Sequence, residues 1–88
     1  MRQIAIYGAS GHGKVVAEIA ESLGYEIMFF IDDDENKCEF IGHPVVRFDK
    51  NMKVPVALGI GANKIRANIF DKLVKCNIDI PTLIHPSS

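Results

Sequence analysis

Nothing in this 88-residue sequence is apolar for long enough to cross a bilayer; the apolar runs, such as Ile27 to Ile31, are only a few residues each. Excess charge of one sign is equally absent. Ten Lys/Arg face eleven Asp/Glu, a formal net charge of -1. That balance gives no electrostatic case for nucleic acid or for an anionic membrane surface. Cysteine is scarce: Cys38 and Cys76 lie far apart, with no C-x-x-C and no Cys/His ligand spacing. A metal site is therefore not expected, and a reduced, cytoplasmic setting is. Internal repeats and low-complexity tracts are missing too, and Met1-Arg2-Gln3 leads into a strand pattern rather than a signal peptide. What is there is ordinary for a globular domain: 48% hydrophobic and 24% charged residues. The length suits one small domain over residues 1–88.

Ile4-Ala5-Ile6-Tyr7 is a short apolar run closed by Gly8, the pattern of a buried parallel strand. Val15, Val16, Ile19, Ala20 and Leu23 then recur at helical spacing. Glu18 and Glu21 fall on the opposite face, and Gly24 stops the helix. In this reading Val15 packs against the sheet. Ile27 to Ile31 forms a second apolar run that ends at Asp32-Asp33-Asp34-Glu35, completing a βαβ unit. Residues 36–53 read as a loop with a minor edge strand at Val45-Val46. Val54 to Leu58 reads as a strand and Gly59-Ile60-Gly61 as a turn. Ile65, Ile69, Leu73 and Cys76 mark a second amphipathic helix, and Thr82-Leu83-Ile84 a last strand. The expected fold is α/β: a small Rossmann-like open parallel sheet flanked by helices. Two mononucleotide-binding halves make a full Rossmann domain, and only one half and a little more is present, so the sequence reads as a fragment of something longer.

The chemistry concentrates in YGASGHGKVV, residues 7–16. A strand, a glycine-rich turn and a helix start aim backbone N–H groups and the positive helix end at one point, where an anion binds without a cationic side chain. Gly8, Gly11 and Gly13 can take positive φ and let a phosphate approach the backbone. As a P-loop the stretch fails, because Val15 stands where a Ser or Thr hydroxyl should hold Mg²⁺. As a dinucleotide fingerprint it fares better. Asp32 lies 19 positions after Gly13, at the end of the second strand, where an acidic residue meets a ribose hydroxyl. Ser10, however, occupies the place of the middle glycine.

With Gly8-Ala9-Ser10-Gly11-His12-Gly13, then Asp32-Asp33, then Gly61-Ala62-Asn63-Lys64-Ile65-Arg66, the chain resembles a known family. It is similar over essentially its whole length to the N-terminal domain of bacterial sugar O-acyltransferases of the sialic acid O-acetyltransferase type. These include the UDP-4-amino-sugar N-acetyltransferases of bacillosamine biosynthesis. The Ile84-His85-Pro86-Ser87 ending resembles the segment that leads into the family's second domain.

The resemblance implies a nucleotide-sugar ligand, a UDP-amino-sugar or a relative, in an enzyme of bacterial surface-glycan biosynthesis. It implies acetyl-CoA as co-substrate, bound by a C-terminal left-handed β-helix that also supplies a histidine base and is absent from these 88 residues. It further implies a homotrimer for the full-length protein and a monomer or weak dimer for this piece. No cofactor is expected in this chain, and no catalytic residue. By position, Ser10, Gly11, His12 and Gly13, with Gly8 before them, would face the diphosphate or sugar. Asp32 and Asp33 would border the nucleoside, while Gly61 and Asn63 would line the crevice opposite. Ala62 departs from the family, which often carries Asn or Asp there.

Other readings stay open. Asn63 suits a helix cap as well as a ligand contact. Asp34 and Glu35 read as a solvated loop, Arg66 as a surface or loop-tying residue, and His43 and His85 as structural. Two different functions would use the same fold: the NAD-binding half of an oxidoreductase, and a non-catalytic ligand-sensing module.

Overall fold

The computed structural model describes residues 2–81. The expected strand at Thr82-Leu83-Ile84, His85 and the Ile84–Ser87 ending lie outside them. In chain order the elements are β1 (Arg2–Tyr7), α1 (Gly11–Ser22), β2 (Tyr25–Ile31), β3 (Glu39–Phe40), β4 (His43–Val46), β5 (Val56–Leu58) and α2 (Asn63–Lys75). They form one five-stranded sheet in the order β3-β4-β2-β1-β5. Strands β4, β2, β1 and β5 are mutually parallel; β3 is antiparallel to β4.

This is the expected open, Rossmann-like α/β sheet flanked by helices, with one short antiparallel strand, β3, added at its edge. Residues 36–53 hold more structure than a loop with one edge strand. Ile41 (φ 43°) and Gly42 (φ 83°) make a two-residue connection with positive φ at both positions, the backbone that joins tight hairpins. Glu39 then pairs with Pro44, and Phe40 with His43. Phe40 stands edge-on to the buried Phe30 ring at 5.0 Å. That aromatic contact ties the hairpin to the core and contributes about 1 kcal/mol beyond its area.

Buried side chains sort into two layers. Ile4, Ile6, Ile27, Phe30, Val45 and Ala57 face α1, which meets them with Ala17 and Ala20. Ala5, Tyr7, Ile31 and Val56 face α2, which meets them with Ile69 and Leu73. The sorting depends on an irregularity in β2. Ile4 pairs with Ile27 but Ala5 with Phe29, so Met28 is an extra residue in the ladder and is left exposed.

Glu18 and Glu21 lie on the solvent face of α1, as expected, but Val15 is 51% exposed and does not pack on the sheet. At about 100° per residue the inward stripe runs through Gly13, Ala17 and Ala20, and position 15 falls nearly opposite it. The α1 C-terminus is closed by Gly24 at φ 90°, whose N–H donates to the Glu21 carbonyl. A Cβ at Gly24 would meet nothing within 4 Å. Gly24→Ala therefore tests backbone strain alone, and thermal denaturation should show a loss of about 1–2 kcal/mol. α2 ends in the same way without glycine: Asn77 (φ 58°) donates to Val74, and Ile78 donates back to Leu73.

Candidate functional site

Strands β2, β1 and β5 run parallel and end at one rim. Their ladders continue just past the strand ends, with the Gly8 N–H donating to the Ile31 carbonyl (2.6 Å) and the Gly59 N–H to the Tyr7 carbonyl (2.8 Å). The helices that follow β1 and β5 cover opposite faces of the sheet. Their connections therefore part at the β1/β5 boundary and leave a crevice beyond the strand C-termini, the place where open α/β sheets bind ligands. The crevice is ≈ 240 Å³ and is lined by Gly8, Ser10, Asp32, Asp33, Lys37 and the Gly59–Gly61 turn, among others.

The glycine loop is held by backbone contact. Gly8 adopts φ 117°, and a Cβ there would lie 2.5 Å from the Gly59 carbonyl oxygen. A Cβ on Gly13 would overlap the Gly8 carbonyl oxygen. Of the three loop glycines expected to use positive φ, only Gly8 does; Gly11 and Gly13 belong to the first turn of α1. The first intrahelical bond of α1 runs from the Lys14 N–H to the Ser10 carbonyl, so the amides of Gly11, His12 and Gly13 stay outside the helical ladder. Ser10 is the N-cap residue, but its hydroxyl makes no capping bond. Among the described residues, the helix start thus offers unpaired amides and an uncommitted hydroxyl on the same loop.

Asp32 is committed to the protein. Its Oδ2 accepts the Ala9 N–H (3.0 Å) and an ion pair from Lys37 Nζ (3.5 Å); its Oδ1 accepts the Asp34 N–H (2.9 Å). Burial alone would raise the pKa of this carboxyl. The Asp34 and Ala9 amides and the Lys37 charge outweigh it and hold the group below the usual aspartate value. Lys37 also donates to the Ala9 carbonyl (2.7 Å), and Arg47 from the β4 side donates to the carbonyls of Asp32 and Lys37. The glycine loop is fastened to the end of β2 by the Asp32 and Lys37 side chains, whose backbone Arg47 holds from the β4 side.

Asp33 turns the other way, toward the α2 layer. Its Oδ1 accepts a hydrogen bond from the Tyr7 hydroxyl (3.2 Å), which in turn accepts one from Lys72 Nζ (2.7 Å). Burial, followed by the opposing pull of Lys72 and the push of Asp33, leaves the Tyr7 phenol above its ordinary pKa.

The nine residues singled out from the sequence are distributed unevenly. Gly8, Ser10, Asp32, Asp33 and Gly61 line the crevice. His12 and Asn63 line a neighbouring, larger groove of ≈ 580 Å³ between the two helices, together with Val16, Arg66 and Phe70. His12 sits against Gly61, where a Cβ would be 3.6 Å from its Nδ1, so these two residues form the ridge between crevice and groove. Gly11 faces open space and Gly13 is buried against backbone. Asn63 is the first residue of α2, whose N-cap position is Ala62, and no side-chain cap is made there. Sequence reasoning missed Lys37, Arg47, Tyr7 and Lys72. For Lys72 the only available signal was its place beside the Ile69–Leu73 stripe; the other three depend on long-range folding.

The geometry, a glycine-lined loop opening on a crevice with two aspartates at the end of the second strand, can be set beside known proteins. A sequence profile of the PglD N-terminal domain matches residues 3–73. The chain belongs to the PglD N-terminal domain family. UDP-N-acetylbacillosamine N-acetyltransferase of Bacillus subtilis (strain 168) is 29% identical over 97 aligned positions, covering 100% of this chain and 45% of the relative. The acetyltransferase domain of PglB from Neisseria gonorrhoeae FA1090, solved with acetyl coenzyme A, superposes with a TM-score of 0.80. It is 36% identical, over 97% of this chain and 44% of that one. PerB from Caulobacter crescentus, solved with CoA and GDP-perosamine, gives a TM-score of 0.82 at 26% identity, over 99% of this chain and 44% of that one. The chain therefore spans just under half the length of these relatives. No helix among its described residues is long and apolar enough to cross a membrane. Nor do the described residues hold a His/Cys/Asp/Glu group able to bind a metal ion.

Proposed function

We propose that this domain holds the nucleotide-sugar substrate, a UDP-amino-sugar in the first instance, of an acetyl-CoA-dependent sugar N- or O-acetyltransferase in bacterial glycan biosynthesis. The observation that carries this reading is Ser10, which lines the same crevice as Asp33, makes no capping bond with its hydroxyl and opens a helix whose Gly11, His12 and Gly13 amides stay outside the helical ladder. Amides at a helix start suit the diphosphate. A carboxylate at the end of the second strand suits a neutral donor on the nucleoside. The relatives named above support the reading, since one is solved with a nucleotide-sugar and another carries a UDP-sugar acetyltransferase name.

In the full reaction the sugar's amine or hydroxyl attacks the thioester carbonyl, its proton passes to a general base and the CoA thiolate leaves. This domain's part is to fix the sugar-nucleotide for that attack. The base and the acetyl-CoA site belong to the further domain of the full-length protein, which we propose is a cytoplasmic homotrimer. By itself the 88-residue chain is expected to bind without catalysing.

Calorimetric titration tests the ligand class. A UDP-sugar should bind measurably and NAD more weakly; tighter binding of NAD would overturn the proposal in favour of an oxidoreductase. Gly11→Leu tests the cradle. A side chain at Gly11 meets open space, so denaturation should show stability within about 1 kcal/mol of wild type, because leucine is the better helix former. Affinity for the UDP-sugar should fall at least tenfold. Unchanged folding with unchanged affinity would instead mark the loop as a purely structural turn.

A further inference from the structure

We infer that Lys72 and Tyr7 are positioning residues that present Asp33 to the nucleoside half of the ligand. The inference deepens the nucleotide-sugar reading above and rests on it.

The direction of the hydrogen bonds is set by chemistry. A lysine ammonium has three donors and no acceptor, and a carboxylate only accepts. The Tyr7 hydroxyl between them must accept from Lys72 (2.7 Å) and donate to Asp33 (3.2 Å). The relay therefore begins on α2, runs along the α2 face of the sheet through a tyrosine that is 2% exposed, and ends on a carboxylate at the crevice. Lys72 does not run out to solvent. Its Nζ lies 4.5 Å from the Phe48 ring centroid and 4.9 Å from that of Tyr7, a charge seated over two aromatic faces. Holding a long, rotamer-rich side chain in this way costs conformational entropy that a surface lysine keeps.

A buried phenol needs only one partner, so satisfying Tyr7 does not explain a cation and an anion on the same hydroxyl. The two aspartates of the crevice explain it. Asp32 has both oxygens engaged by the loop and Lys37. Asp33 has one oxygen engaged, by Tyr7, and among the described residues its other oxygen has no protein donor. It is the crevice carboxylate with capacity left for a ligand donor, either a ribose hydroxyl or an imide N–H of the base. An unrestrained carboxylate near a diphosphate would be repelled and rotate away. The tyrosine fixes its rotamer, and the lysine charge behind it offsets the repulsion.

The test separates the two halves of the ligand. In Lys72→Met the stem stays and the charge goes. Calorimetry should then show UDP binding five- to tenfold more weakly, with pyrophosphate affinity within twofold of wild type, and Lys72→Arg should recover most of the UDP affinity. Unchanged UDP affinity overturns the inference. So does an equal fall for UDP and pyrophosphate, which would mean a general loosening of the domain. Should Lys72→Met fail to fold, Asp33→Asn serves instead, since Asp33 is exposed and, among the described residues, its side chain accepts one hydrogen bond, from Tyr7. It should weaken UDP by the same factor and leave pyrophosphate no weaker. A wild-type domain that binds pyrophosphate but not UDP overturns the nucleotide reading together with this one. A wild-type domain that binds UDP, with variants that bind it equally well, overturns only the role of Lys72 and Tyr7.

Discussion

Gly13→Ala should cost about 3 kcal/mol or more, although alanine in a helix is ordinarily better than glycine by about 1 kcal/mol. The added methyl would overlap the Gly8 carbonyl oxygen, and Gly8 cannot retreat. Behind it lies Gly59, whose own Cβ position is 2.7 Å from the Gly13 Cα and 2.8 Å from the Ile6 Cγ2. Three glycine backbones are thus stacked without a side chain between them, joining the β1 turn, the α1 start and the β5 turn. Relief requires moving α1 off the sheet, which opens the layer containing Ala17 and Ala20. For a domain of this size total stability is about 4–13 kcal/mol, so the substitution removes a large share of it or abolishes folding. Urea denaturation of Gly13→Ala beside Gly11→Ala makes the comparison internal, because a methyl at Gly11 meets nothing. Equal midpoints for the two would show that the stacked contact does not constrain the fold.

Asp32→Asn should have the second large effect, about 2 kcal/mol at neutral pH, because it disturbs charge-assisted bonds in a partly buried site. The carboxylate accepts an N–H on each oxygen, from Ala9 and from Asp34. An asparagine has one oxygen, so its NH₂ must face one of those two donors, and Lys37 loses its ion-pair partner. The effect carries a pH signature. The folded pKa of Asp32 is depressed, so its stabilisation is complete above the unfolded value of about 4 and is lost as pH falls through the lower, folded value. Chemical denaturation should show the gap between wild type and Asp32→Asn at pH 7 closing as the solution is acidified below about pH 4. A gap that stays constant into acid would mean that the charge of Asp32 is not what holds the loop. Such a result would leave the neutral hydrogen bonds as its only contribution.

The βαβ core and the glycine loop were legible in the sequence because each rests on local pattern. The apolar run of β1, the helical spacing of Val16, Ile19 and Ala20, and the glycines at strand ends need no knowledge of distant residues. The loop's location at the rim followed from the same pattern. What could not be read depends on pairing across distance. The β3–β4 hairpin turns on a left-handed Ile41, a residue type with no turn preference, so periodicity gave no notice of it. Val15 looked like part of the apolar stripe because the residues beneath α1 are small, and alanines and a glycine give a weak hydrophobic signal even when fully buried. Lys37 and Arg47 come to the site only because the hairpin folds back beside β2. Lys72 comes to it because α2 crosses over Tyr7. Asp32 and Asp33 were both marked for the nucleoside, and their division of labour appears only in three dimensions.

That division traces to Met28. Along a regular strand, side chains alternate between the two faces, and each residue's facing is set by counting from the last. The extra residue at Met28 advances the count by one for everything after it. Phe30 then falls with Ile27 on the α1 side, and Ile31 on the α2 side. The parity runs past the strand end: Asp32 meets Ala9 below α1, and Asp33 meets Tyr7 beneath α2. An exposed methionine that supports neither layer thus acts as a phase shifter for the two carboxylates. Without its added step, Asp33 would face the loop and Asp32 the phenol, and the anion cradle and the Lys72 relay would exchange their anchors.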